Sequence, residues 1–164
     1  MFIRLKKVQG KHYAYKVHNK RVRGKIKQKV KGYIGRAYIP EKTNEKDFFE
    51  FIKKDTNSYD KSLKHSVGDL IKWELFRHNL DDIDLDINKH TITKNNSKVI
   101  LKLNEGYLYN TTIKDIIKFH AVGDDEYFIG KEFAEAFVKA GIDVPKELFV
   151  KLFQKITVKE GQQN

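Results

Sequence analysis

The chain has 164 residues and no cysteine, with 33 Lys and Arg against 22 Asp and Glu and a formal charge of +11. Its 40% hydrophobic and 12% aromatic content is enough for a folded core, which excludes global disorder. No apolar run reaches the roughly 18 residues of a membrane span, and the basic N-terminus lacks the apolar stretch of a secretory signal. The lack of cysteine excludes disulfide frameworks, Cys-ligated zinc and thiol catalysis. We therefore expect a cytoplasmic protein with no membrane partner.

The positive charge is concentrated at one end of the chain. Residues 1–40 contain 13 basic and no acidic residues, which leaves 20 basic and 22 acidic residues in 41–164. The whole surplus therefore belongs to one short segment. We predict a basic β module over 1–40, an α+β domain over 41–160 and a loose tail at 161–164.

Apolar and basic residues alternate through the first forty positions, a period typical of half-buried strands. The predicted strands are centred on residues 3–5, 13–17 and 26–30, with 33–39 as a candidate fourth. Gln9-Gly10-Lys11 predicts a turn between the first two strands, and residues 19–24 predict a polar loop between the next two. The pattern indicates an antiparallel β-meander of three or four strands.

Lysine occupies every second position from Lys25 to Lys31. A strand places these lysines on one face, about 6.5–7 Å apart, and places Ile26 and Val30 on the other face, which we expect to be half-buried. Such a row of charges fits a bound polyanion, or a solvated face with acidic residues of the C-terminal part nearby. Because 1–40 contains no acid, we favour nucleic acid. The predicted nucleic-acid-binding residues are Arg4, Lys6, Lys16, Arg21, Arg23, Lys25, Lys27, Lys29, Lys31 and Arg36.

The remaining elements alternate between helix and strand patterns. Predicted helices span 47–54, begin at Ser66 with Asp69 three residues on, and begin at Thr111 or Thr112. Predicted strands cover 83–87, 91–93, 99–103 and 107–109. Two final helices cover 131–140, closed by Gly141, and the segment that starts at Pro145. This order predicts the α+β class, with a compact mixed domain that ends in two helices.

Several chemical motifs have an ordinary structural alternative. Gly141 between two helices fits a helix-turn-helix, but the second helix has few side chains that read base edges, so a helical hairpin is favoured. Aspartates on one strand face could hold Mg²⁺, although an exposed strand shows the same alternation. His12 is a candidate acid or base near a phosphate; His12 and His18 otherwise add weak, pH-dependent phosphate affinity. The candidate metal ligands of the magnesium interpretation are Asp81, Asp82, Asp84 and Asp86, with His90 beyond.

Four tyrosines in the basic segment also have two interpretations. They could stack the bases of a single strand, or they could form the apolar face that packs the sheet onto the rest of the protein. Their alternation with lysines favours packing. These tyrosines are Tyr13, Tyr15, Tyr33 and Tyr38.

Four short stretches follow one another in a fixed order: FIR at 2–4, GKHYAY at 10–15, RVRGKIKQK at 21–29 and GYIG at 32–35. In order and spacing they resemble the N-terminal segment of transposases of the IS4/IS1634 type and of small archaeal proteins that share it. The resemblance implies a β-rich module associated with DNA-acting proteins. It implies no catalytic residues, because the transposase catalytic domain is a long RNase H-like region for which residues 41–164 are too few.

These observations predict a non-enzymatic nucleic-acid-binding protein without cofactor or metal. It is expected to bind the phosphate backbone through a lysine-rich sheet face. Duplex DNA is preferred over RNA through the resemblance. Residues 41–160 are expected to supply stability, a homodimer contact or a protein partner. The alternatives are an RNA- or ribosome-associated protein, a small metal-dependent or His-dependent nuclease, and an adaptor that docks an acidic protein.

Overall fold

A computed structural model describes residues 1–158, so the predicted tail at 161–164 lies outside the described residues. The structure confirms the α+β class and the N-terminal meander. The strands are β1 Phe2–Val8, β2 Lys11–Val22, β3 Lys25–Tyr38, β4 Asp84–Asp86, β5 Thr91–Lys94, β6 Ser97–Leu103 and β7 Gly106–Leu108. The helices are α1 Phe48–Ile52, α2 Leu63–Arg77, α3 Asn110–Ile117, α4 Glu126–Ala140 and α5 Lys146–Val158.

The meander has three strands, because the third and fourth predicted runs form the single strand β3. The polar loop predicted over 19–24 is wrong: β2 continues to Val22, and only Arg23 and Gly24 form the turn. Both turn residues have positive φ, 48° and 77°, as in a type I′ turn. Such a turn follows the natural twist of paired strands, so cross-strand pairing continues up to it.

The meander and the C-terminal part share one sheet of seven strands, in the order β1-β2-β3-β6-β5-β4 with β7 also paired to β6. The junction is a short parallel pairing of Arg36–Tyr38 with Val99–Leu101. The hydrogen-bonded sheet therefore crosses the predicted boundary at residue 40. The division of the chain at that residue stays a prediction.

Two clusters of buried side chains hold the fold together. The larger one lies between the C-terminal strands and the helices, and Phe48, Leu70 and Phe133 are fully buried in it. The smaller one joins the meander to the body through Ala14 and Ala37 on one side and Ile100 and Tyr109 on the other. Small alanine side chains there let Tyr109 lie close to the sheet.

The predicted helices are present, with shifted starts. α2 is capped by Ser62, whose Oγ accepts the His65 backbone N–H, rather than by Ser66, which is buried within the helix. The Ser66 prediction is wrong because Ser62 offers the same chemistry one turn earlier. α4 begins at Glu126, five residues before the predicted start, because Asp125 caps it.

The start of α3 also differs from the prediction. The helix is preceded by Tyr109, so neither threonine is the N-cap residue. Thr112 instead accepts the Tyr109 backbone N–H and donates to the Tyr107 carbonyl, at 3.2 and 2.7 Å. The threonine thus fixes the junction between β7 and α3 from inside the helix.

A buried polar cluster ties α2 to the connection between α4 and α5. Glu74 is fully buried, and its Oε1 accepts the Asp143 backbone N–H at 2.8 Å and the Asn104 side-chain amide at 3.4 Å. The Arg77 guanidinium lies 3.4 Å from the same oxygen and 3.0 Å from Asp143 Oδ2. Burial raises the pKa of Glu74, against the opposing effects of the Asp143 N–H and of Arg77.

Within residues 1–158, no helix has the length and apolar content that a membrane crossing requires.

Candidate nucleic-acid interface

The outer part of the β2–β3 hairpin extends beyond the rest of the sheet. Pairing between β1 and β2 ends at Phe2 and Val17, whereas β2 and β3 remain paired from His18–Lys29 to Val22–Lys25. We call residues 18–29 the ribbon. Five residue pairs give it a length of about 17 Å.

The register places four lysines on one side of the ribbon. Lys20 lies directly opposite Lys27, and such cross-strand partners share a face. Lys25 and Lys29 stand two residues to either side of Lys27 and point the same way. We call Lys20, Lys25, Lys27 and Lys29 the lysine face. Like charges directly opposite each other destabilise a hairpin, so this arrangement is unfavourable in the isolated protein.

Lys31 departs from the predicted row. The register shifts where Lys16 pairs with Gly32 and Val17 pairs with Val30, so Lys31 is the unpaired residue of a bulge. Lys31 and Lys16 both line a cavity of about 290 Å³ at the base of the ribbon. The four lysines of the lysine face therefore lie beyond the bulge, and Lys31, at the bulge, faces the cavity.

The face of β3 opposite the lysines, formed by Ile26 and Val30, was expected to be half-buried, and that prediction is wrong. Ile26 and Val30 are 71% and 57% exposed. No other strand pairs with residues 18–29, and neither buried cluster includes Ile26 or Val30. Alternation correctly predicted the strand but could not show that nothing covers it.

The basic residues of 1–40 have no carboxylate partners in the described part of the chain. All ion pairs found within residues 1–158 join groups between Lys42 and Lys155. Acidic residues packed against the lysine row were the structural alternative to a bound polyanion. The geometry does not provide that counter-charge among the described residues.

The ten predicted binding residues fall into three groups. The lysine face and the cavity hold Lys16, Lys25, Lys27, Lys29 and Lys31. Arg23 lies at the tip, in the turn. The register assigns the others to the opposite face of the sheet, and these are Arg4, Lys6, Arg21 and Arg36.

Lys16 is held by the body of the protein. Its Nζ donates to Thr111 Oγ1 at 3.4 Å and lies 5.7 Å from the centre of the Tyr109 ring. The side chain is half-buried, so it has less freedom than the ribbon lysines to follow a phosphate.

The cavity adds groups that the sequence did not single out. Lys98, at the start of β6, lines it together with Asn110 and Thr111 from the first turn of α3. The amino end of a helix carries unpaired N–H groups and a partial positive charge. A helix beginning near residue 111 was predictable from the sequence, but the parallel pairing of β3 with β6, which brings Lys98 to the ribbon base, was not.

His18 is the residue of the ribbon nearest the sheet. Its Nδ1 is buried without a hydrogen-bond partner. Burial lowers the pKa of His18, and the nearby Lys31, Lys29, N-terminus and Lys20 lower it further. The lowered pKa favours the neutral imidazole, so His18 adds less positive charge to the lysine face than an unperturbed histidine would.

Three of the four tyrosines do not pack the sheet onto the body. Tyr15 and Tyr33 have ring centres 5.4 Å apart, and Tyr13 lies 6.4 Å from Tyr33. None of the three belongs to the buried clusters, whereas Tyr38 packs against the larger one. The packing interpretation holds for Tyr38 only. The alanines on the other side of the sheet make the contact that was assigned to the tyrosines.

The remaining motifs have ordinary structural surroundings. Asp82 pairs with Lys94, and Asp86 accepts the Asn88 and Lys89 backbone N–H groups in a turn. No group of three or more His, Cys, Asp or Glu side chains suited to a metal ion was found in the described part of the chain. The α4–Gly141–α5 helical hairpin, which was favoured over a helix-turn-helix, is present, and base reading by α5 stays the disfavoured alternative.

No family model, curated protein or solved structure matches this chain. The likeness to transposase N-terminal segments therefore depends on the quoted stretches of residues 2–35 alone.

Proposed function

We propose that this protein binds duplex DNA through the ribbon and has no catalytic role of its own there. The observation that carries the proposal is a two-stranded, lysine-bearing ribbon that no other element covers and that has no carboxylate partner within residues 1–158. Bound phosphates would remove the repulsion between Lys20 and Lys27 and release condensed counterions from the DNA.

The dimensions of the ribbon support a groove of B-DNA as its binding place. The major groove is about 12 Å wide and 8.5 Å deep, and it admits a two-stranded β-ribbon. A ribbon about 17 Å long reaches the groove floor while its base remains outside the phosphate rows. The extended lysine side chains then reach the phosphates that border the groove.

The same dimensions favour DNA over duplex RNA. The major groove of A-form RNA is deep and too narrow for side chains to read. RNA would have to use its shallow minor groove, where a projecting ribbon has little to enter. The resemblance of residues 2–35 to a segment of DNA-acting proteins supports the same choice.

The cavity at the ribbon base extends the phosphate path onto the body. Lys31 and Lys98 face it without a carboxylate partner among the described residues, and the first turn of α3 adds N–H donors. A DNA strand that leaves the lysine face at Lys29 meets this cavity next. We assign it a backbone phosphate of the same duplex.

A mobility-shift experiment with matched duplexes tests the proposal. The full chain is titrated into a blunt DNA duplex and into an RNA duplex of the same sequence, at low salt. We expect the DNA complex to form at lower protein concentration, and its affinity to fall steeply as salt is added. Tighter binding to the RNA duplex, or no shift of either probe, contradicts the proposal.

A further inference from the structure

The sheet face opposite Ala14 and Ala37 carries an exposed aromatic cluster. Cross-strand pairing sets Tyr15 against Tyr33 and Tyr13 against Arg36, so these side chains share one face. Tyr33 is 59% exposed. We call Tyr13, Tyr15 and Tyr33 the tyrosine face. It lies at the base of the ribbon, on the side away from the alanines that contact the body.

Cations border this cluster. β1 places Arg4 opposite Tyr15 and Lys6 opposite Tyr13, on the same side of the sheet. Arg4 Nη1 donates to Gln28 Oε1 at 3.0 Å, which orients the guanidinium along the face toward the ribbon. None of these cations has a carboxylate partner within residues 1–158. The surface therefore combines aromatic rings with positive charge and, among its own residues, has no negative charge.

The combination selects a particular ligand chemistry. Aromatic side chains stack on the flat faces of nucleobases, and neighbouring cations contact the phosphates that connect them. A duplex cannot use such a surface, because its base faces are already stacked. A single strand can, since its bases are free to turn outward. An acidic protein would match the cations but would leave exposed rings without a specific partner.

We propose that the tyrosine face binds unpaired bases of a DNA strand, so that the preferred ligand is a duplex with a single-stranded extension. The ribbon holds the paired part, and the extension passes over β1 and β2 to stack on Tyr33 and its neighbours. The choice of DNA as the polymer rests on the proposed function. The stacking itself rests on the geometry of the tyrosine face.

Fluorescence anisotropy with three labelled probes tests this inference. The probes are a blunt DNA duplex, the same duplex with an oligothymidine tail, and the tail alone. We expect the tailed duplex to bind wild type roughly tenfold tighter than the blunt duplex. Tyr33 also lines the cavity at the ribbon base, so the quantity compared is the ratio of tailed-duplex to blunt-duplex affinity. In Tyr33→Ala this ratio should fall close to one, and in Tyr33→Phe it should stay as in wild type, because the ring is kept.

A matched variant separates stacking from a general loss of tyrosine. Tyr127 on α4 is 74% exposed and lies outside the sheet, so Tyr127→Ala should behave as wild type. The inference is overturned if the tail adds no affinity, if Tyr33→Ala keeps the full difference, or if Tyr127→Ala removes it equally. An oligouridine tail that binds tighter than oligothymidine overturns the assignment to DNA.

Failure of the proposed function gives a different result. In that case wild type does not bind the blunt duplex, while the isolated tail still binds and still depends on Tyr33. That outcome supports stacking on the tyrosine face and contradicts duplex binding by the ribbon.

Discussion

Replacing three ribbon lysines with glutamine should change the salt dependence of DNA binding by an amount that the geometry sets. Lys25, Lys27 and Lys29 lie on one side of β3, about 6.8 Å apart, which is close to the spacing of successive phosphates along one DNA strand. Each phosphate contact contributes about −0.9 to the slope of log affinity against log salt. The triple variant K25Q/K27Q/K29Q should therefore have a slope shallower by about 2.7.

That slope translates into a measurable difference in affinity. Between 50 and 200 mM salt, wild type should lose roughly 40-fold more affinity than the triple variant. The assay is fluorescence anisotropy of a labelled duplex at four or more salt concentrations. Thermal unfolding should show that the variant folds as well as wild type, because all three side chains are exposed and removal of Lys27 relieves its repulsion with Lys20.

A charge-matched variant provides the control. Lys72, Lys114 and Lys131 are exposed on the body and take part in none of the ion pairs found within residues 1–158. K72Q/K114Q/K131Q lowers the net charge equally and should keep the wild-type slope within about one unit. Equal slopes for the two triple variants would refute the reasoning, since net charge alone would then explain binding.

Three further predictions concern the body of the protein. Gly106→Ala should prevent stable folding, seen as loss of a cooperative thermal transition, because a Cβ there overlaps the backbone at the end of α4; a wild-type melting curve would contradict this. Glu74→Ala should lower the free energy of unfolding in urea by about 2–3 kcal/mol, since it leaves the Asp143 N–H without its acceptor and removes one carboxylate beside Arg77, which keeps Asp143 Oδ2 at 3.0 Å; a loss below about 1 kcal/mol would show that the cluster contributes little to stability. Burial lowers the pKa of His78, so stability should be full above its unfolded pKa of about 6.5 and should fall as pH drops through the folded pKa. His78→Gln should flatten that part of the stability–pH curve, and an unchanged curve would assign the effect to another group.

The elements themselves were largely predictable, because each has a local cause. Alternation predicted the meander, and apolar periodicity predicted the buried stripe of α2, including Val67 and Leu70. Gly141 correctly marked the end of α4. The wrong boundaries came from residues with equivalent chemistry at nearby positions, as with Ser62 and Ser66, between which local sequence does not distinguish.

The candidate site was only partly predictable, because exposure is a property of the whole fold. The sequence located the lysine row, but Ile26 and Val30 have the composition of a buried strand face and are nevertheless exposed. Tyr13, Tyr15 and Tyr33 show the same kind of error, because they were expected to pack against the body. The small side chains of Ala14 and Ala37, rather than these large rings, make that contact. Lys98 joins the site through a parallel strand pairing about sixty positions away from β3 in sequence, for which the chain carries no local signal.

The location of DNA contact is the central claim, and an NMR titration tests it most directly. Uniformly ¹⁵N-labelled protein is titrated with an unlabelled blunt duplex, and amide shift changes are followed for residues 1–158. We predict the largest changes in the ribbon, at Lys31 and Lys98, and in the first turn of α3. Changes concentrated in α4 and α5, with the ribbon unaffected, would contradict the account and would instead support DNA binding by the helical hairpin.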